Sequence, residues 1–169
     1  MTEQDQAKGT TSEDAVVLER ELDASRDIVW QAWTDPEHFA RWYGPDGFTV
    51  PHCTMELRVG GSIRICMRHP QYGDMWSAGV FDEIDPPARL VYREYMTDPD
   101  GNKVSPPHPD WPEEALVTLL FDEIGNGRTK MTVTWAVPAQ LATEMGALAG
   151  WEQAFAKLAA YVARGESTK

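Results

Sequence analysis

Apolar positions recur along the chain with two different periods. Residues 15–22, AVVLEREL, mix β-branched and alternating positions and predict a first strand. The spacing then lengthens. Ile28, Val29, Ala32 and Trp33 fall on one helical face behind Ser25, a side chain suited to cap a first turn. Pro36 ends that helix and opens a short second one through Phe39 and Trp42, which stops at Gly44-Pro45. From Phe48 the pattern alternates between turn signals: FTVPHCTMELRV, SIRICMRH, MWSAGVFDEI, RLVYREYM, ALVTLLFDEI and RTKMTVTWAV read as six successive strands. All but one of their connections are short enough for hairpins, which predicts an antiparallel meander.

The first hairpin tests the register. A loop centred on Gly60 pairs Leu57 with Ile63, Met55 with Ile65 and Cys53 with Met67, and one face becomes wholly apolar. A plain two-residue Gly60-Gly61 turn mixes both faces, so a three-residue or bulged turn is expected, with a glycine at positive φ. Cys66 then points away from Cys53, and no internal disulfide is expected. The last element is predicted as one helix over residues 138–163. Leu141, Met145, Leu148, Trp151, Phe155, Leu158 and Val162 form a continuous apolar stripe along it. Gly146 and Gly150 interrupt it, at a cost of roughly 1 kcal/mol each relative to alanine. Glu144, Glu152 and Lys157 argue against a membrane-type Gly-x-x-x-Gly dimerisation face. Set about 40° apart on the helical wheel, the glycines are expected to clear a groove at the edge of the stripe, bordering a cavity.

Strand, helix, short helix, six antiparallel strands and a long helix describe an α+β helix-grip fold: a curved seven-stranded antiparallel sheet wrapped round the C-terminal helix, with two short helices after the first strand. A strongly curved sheet does not lie flush on a straight helix, so a cavity between them is the geometric expectation. Four stretches carry a family resemblance: RELDASRDIVWQAWTDPEHFARWYGP (residues 20–45), MELRVGGSIRICM (55–67), GVFDEIDPPARLVY (79–92) and Gly150-Trp151. In these the chain resembles the START-like, or SRPBCC, superfamily. Within it, the chain is similar to bacterial homologues of the C-terminal domain of the activator of the ninety-kilodalton heat-shock chaperone ATPase. The resemblance implies the helix-grip fold and a range of activities: lipid and hormone binding, polyketide cyclisation and chaperone regulation. The loop TDPDGNKVSPPHPDWPEEA, residues 97–115, is longer and richer in proline than that pattern.

Composition narrows the partners. The chain has 169 residues, 42% of them hydrophobic, and reads as one domain over residues 15–164 with tails at 1–14 and 165–169. Fifteen basic against 27 acidic side chains give a net charge of −12, which repels nucleic-acid backbones and anionic membrane surfaces alike. With no basic-then-apolar leader and no apolar run of about 18 residues, a cytoplasmic protein is expected. Two cysteines and four scattered histidines show no metal-ligand spacing, so neither metal nor cofactor is expected.

Candidate chemistry lies on the strands. In RLVYREYM the alternate sets are Leu90, Tyr92, Glu94, Met96 and Val91, Arg93, Tyr95, so either inward face brings one charge and a tyrosine. His52 is the best lone acid–base candidate, with Arg64, Asp82, Arg93 and Glu94 as others, although residues of these types on strands more often sit on a solvated outer face or in a structural ion pair. No nucleophile elbow or phosphate-binding glycine loop is present. The ligand-contacting set predicted from aromatic, methionine and glycine positions is Trp42, Met67, Trp76, Tyr92, Glu94, Trp111, Met145, Gly146 and Gly150. Three functions follow in order: a domain binding a hydrophobic small molecule in the cavity, a chaperone ATPase regulator acting by protein contact, and a cyclase- or hydrolase-type enzyme using His52, Glu94 or Arg93. The proline-rich loop reads either as a solvated insertion or as a lid over that cavity, and Trp111, isolated within it, tips the reading slightly toward a lid.

Overall fold

The computed structural model describes residues 15–163; the tails predicted at residues 1–14 and 165–169 lie outside them. Strand β1 (Val16–Leu22) is followed by helices α1 (Arg26–Thr34) and α2 (Pro36–Trp42). The Ser25 side chain accepts from the Ile28 amide, and Asp35 accepts from that of Glu37 at 2.9 Å, so both helices start on side-chain caps. Six strands come next: β2 (Thr49–Met55), β3 (Ser62–His69), β4 (Gly73–Asp85), β5 (Arg89–Thr97), β6 (Ala115–Gly125) and β7 (Arg128–Trp135). The chain ends in α3 (Ala139–Glu144) and α4 (Ala147–Ala163).

All seven strands form one antiparallel sheet in the order β1-β7-β6-β5-β4-β3-β2, so the first strand closes one edge beside the last. Register shifts in β2, β4 and β6 mark bulges, which bend strands and tighten twist, and the sheet curls into a half-barrel. The core lies inside the curl. On β7, Met131, Val133 and Trp135 alternate inward and are buried, and β6 contributes Val117, Leu119 and Phe121 in the same way.

The β2–β3 register departs from expectation by two residues: Met55 faces Ile63 and Cys53 faces Ile65. The reason lies in the loop, which spans residues 56–61. Its backbone is satisfied internally, Arg58 N–H to the Glu56 carbonyl and Gly61 N–H to that of Arg58, both at 2.8 Å, and it exchanges bonds with Phe81 on the 13-residue strand β4. The turn therefore extends the ladder instead of closing tightly, with Gly60 at φ +85 and Leu57 exposed. A shift of two preserves which face each side chain occupies, so the apolar face remains and Cys53 and Cys66 stay on opposite sides as free thiols.

The long C-terminal helix is present, but it starts at Ala147; the two turns predicted to precede it form the separate helix α3. Gly146 is the cause. At φ +81 it lies in the left-handed region, where its N–H bonds back to the Thr143 carbonyl and its own carbonyl receives the Gly150 N–H at 3.0 Å. It terminates one helix and seeds the next, so Gly146 and Gly150 do not share a helical wheel. From Trp151 onward the stripe is buried: Phe155, Leu158 and Val162 are closed off, whereas Met145 is 39% exposed. The helix packs on β1 and on α1 and α2, with Trp151 and Phe155 against Trp33. The inner face of β3, β4 and β5 near their outer ends is left without a helix over it.

Candidate functional site

That uncovered inner face is the floor of a pocket of about 690 Å³. Met67 of β3, Met75 of β4 and Met96 of β5 line it from the sheet, and Trp135 closes it at the end of β7. Opposite stand Met145, Gly146, Gly150 and Trp151 from the α3–α4 junction. The segment after α2 contributes Tyr43, Pro45 and Phe48, and the proline-rich loop contributes Val104, Trp111 and Pro112.

Glu94 is the carboxylate at the bottom. Strand β5 turns Leu90, Tyr92, Glu94 and Met96 inward and Arg93 and Tyr95 outward, which decides between the two alternating sets. The cross-strand partners of Glu94 are Gly79 and Ala115, two of the smallest side chains, so its neighbours do not cover it. Trp135 donates from Nε1 to Glu94 Oε2 at 2.9 Å. Burial raises the Glu94 pKa from its ordinary 4.5 to about 7, against the opposing pull of that hydrogen bond. Tyr43 and Tyr92, pressed on by burial first and by the Glu94 charge second, are held well above the ordinary phenol value and stay neutral. A run of rings borders the carboxylate: Tyr43 to Trp151 at 6.0 Å, Trp151 to Trp135 at 5.5 Å, Trp135 to Trp111 at 5.4 Å.

The sequence-selected residues divide on inspection. Met67, Glu94, Trp111, Met145, Gly146 and Gly150 border the pocket. Trp42 does not: it is fully buried behind Trp33 and donates to the Ala32 carbonyl at 2.9 Å. Tyr92 faces inward but is buried in the core between Phe81 and Val117, away from the pocket lining. Trp76 borders the pocket by its strand, but its register partners Cys66 and Thr97 put the indole on the outer face. There the Arg64 guanidinium sits 4.5 Å above the ring and His52 packs at 5.4 Å. His52 is accordingly on the outer face too. So is Arg93, held by Asp82 through two bonds of 2.9 and 3.0 Å, which leaves Glu94 as the acid–base candidate of that group that faces the pocket.

Tyr43 and Trp135 were missed as site residues. Trp135 was legible, since the period-two alternation of β7 puts it on the face of Met131 and Val133. Tyr43 follows a helix end and carries no periodic signal. Among the described residues, no group of three or more His, Cys, Asp or Glu side chains is placed to hold a metal ion, and no helix is long and apolar enough to cross a membrane.

A seven-stranded antiparallel sheet curled about a C-terminal helix defines a helix-grip protein. The chain belongs to the family described as Activator of Hsp90 ATPase homolog 1-like protein, whose model matches residues 23–163. Solved structures agree on the fold. A crystal structure of a Nitrosomonas europaea protein is 22% identical with a TM-score of 0.76, covering 92% of this chain and 98% of that one. A solution structure from Arthrobacter aurescens is 24% identical with a TM-score of 0.77, covering 91% and 88%. An AHSA1 protein from Silicibacter pomeroyi is 20% identical with a TM-score of 0.70, covering 90% and 99%. Comparison with curated proteins gives no match.

Proposed function

We propose that the chain binds a hydrophobic small molecule in the pocket between the sheet and α4. One observation carries this reading: a pocket of about 690 Å³, within the size range of ligand sites, whose walls are methionines and aromatic rings around a single inner carboxylate. Methionine side chains adapt to varied apolar shapes, and the rings supply contact area at little entropic cost. The superfamily resemblance, which implies lipid and hormone binders among other activities, agrees with it.

Titration with the neutral dyes Nile red and N-phenyl-1-naphthylamine tests the reading. Saturable binding of one dye per chain is expected. Ser77→Trp, which adds an indole on the inner face beside Met96, should weaken binding at least tenfold while the melting temperature holds. Absence of saturable binding, or binding indifferent to Ser77→Trp, counts against it. The family description also names activation of a chaperone ATPase. An ATPase rate for the organism's heat-shock chaperone that rises with this protein added would move the function to protein contact; the pocket reading expects no change.

A further inference from the structure

The charge of the pocket selects among hydrophobic ligands. Of the described residues lining it, the charged ones are Glu94 on the floor and Glu113 at the rim; no lysine, arginine or histidine takes part. Lys157 donates to the Pro45 carbonyl at 3.3 Å and is not in the lining. Arg93, the neighbouring cation on β5, is turned to the outer face and spent on Asp82 and Glu114. A fatty acid or any other anionic amphiphile would bring its head group to a carboxylate with no counter-charge. A cation meets the opposite: one carboxylate oxygen held by Trp135, Gly79 and Ala115 leaving space beside it, and the rings of Tyr43, Trp151, Trp135 and Trp111 around it. Aromatic faces attract cations through their quadrupole, most strongly where water is excluded.

We infer that the pocket takes a hydrophobic amine, with its ammonium against Glu94 and its apolar body along the methionine wall. This rests on the binding function proposed above and narrows it to a ligand class. The titratable groups that feel Glu94 agree: Tyr43 from the segment after α2 and Tyr92 from β5 itself both stay neutral, and Glu113 at the rim is a second acid. With its pKa near 7, Glu94 is half-ionised at neutral pH, and a bound ammonium would draw its proton off. Amine affinity should therefore rise from pH 5.5 to pH 8.5, while that of a neutral analogue stays level.

Three probes of one chain length separate the possibilities: decylamine, decanol and decanoate, each displacing Nile red from the full chain. At pH 8, decylamine is expected to bind at least tenfold tighter than decanol, and decanoate more weakly than decanol. Glu94→Gln should bring decylamine to within about twofold of decanol and leave decanol unchanged. Glu152→Gln, an exposed acid on α4 outside the lining, should leave the amine preference intact, which separates the pocket from general attraction to an acidic protein. Should Glu94→Gln fail to fold, Glu94→Asp and the pH dependence of the wild type carry the same test. Equal affinities for amine and alcohol, a preference for decanoate, or an amine preference that survives Glu94→Gln would overturn the inference while the binding function stands. Failure of Nile red and all three probes would overturn both.

Discussion

Glu94 illustrates how one side chain couples stability to pH. A carboxyl whose pKa is raised on folding holds its proton more tightly in the folded chain, so its contribution to stability is complete below about pH 4.5 and is lost as pH rises through 7. The shift corresponds to on the order of 3 kcal/mol of destabilisation above pH 8. Glu94→Gln removes the ionisation and keeps an acceptor for the Trp135 N–H. It is expected to raise the melting temperature at pH 8.5 and leave it nearly unchanged at pH 5. A variant no more stable than wild type at pH 8.5 would contradict the raised pKa of the carboxylate. Sequence alternation narrowed β5 to one inward charge without saying which; the choice follows from pairing, because Gly79 and Ala115 make room for Glu94 on one face whereas Asp82 and Glu114 await Arg93 on the other.

At the level of elements, the break between α3 and α4 is a conformational requirement. A Cβ on Gly146 would meet nothing within 4 Å, so the cost of alanine there is backbone strain alone. Gly146→Ala should lose about 1–2 kcal/mol in urea unfolding, and Gly146→Asn less, because asparagine tolerates the left-handed region. Gly150 differs in kind: a Cβ there would stand 3.1 Å from Pro45 Cγ. Gly150→Leu is expected to displace the segment carrying Tyr43, Pro45 and Phe48 and reduce Nile red affinity, whereas Gly150→Ala offsets the crowding with helix propensity of about 1 kcal/mol. Unaltered binding in the leucine variant would show that this contact does not shape the pocket. The strands and their hairpins, the short helices and the long helix were legible from their periods and turn signals, whereas the pairing of β1 with β7 is a long-range contact that no local pattern records. The α3–α4 break was not, since the stripe from Leu141 to Val162 runs across Gly146 without a change of spacing. Trp76 was misplaced for a related reason: alternation says that neighbours on a strand face opposite ways, and only the partners Cys66 and Thr97 say which way is out.

Across the whole molecule, the net charge of −12 sets the response to salt. Exposed pairs such as Arg68–Asp74 and Arg89–Glu83 contribute little and weaken on screening, while self-repulsion of the excess acid weakens too. With 27 acids against 15 bases the second effect is the larger, and the melting temperature should rise as sodium chloride is added at pH 8. A fall would mean that the ion pairs dominate. The loop between β5 and β6 joins both sides of this architecture. Lys103 and Glu114 meet at 2.6 Å on the back of the sheet, where Glu114 also meets Arg93, while Trp111 lies edge-on to Trp135 at 5.4 Å and 71° over the pocket. Two indoles so close and so inclined share their electronic excitations, and the coupled pair imprints a paired positive and negative band on the circular dichroism spectrum. Trp33–Trp42 at 4.8 Å and Trp135–Trp151 at 5.5 Å couple in the same way, so the part of that signal that reports the position of the loop is the part that Trp111→Phe removes.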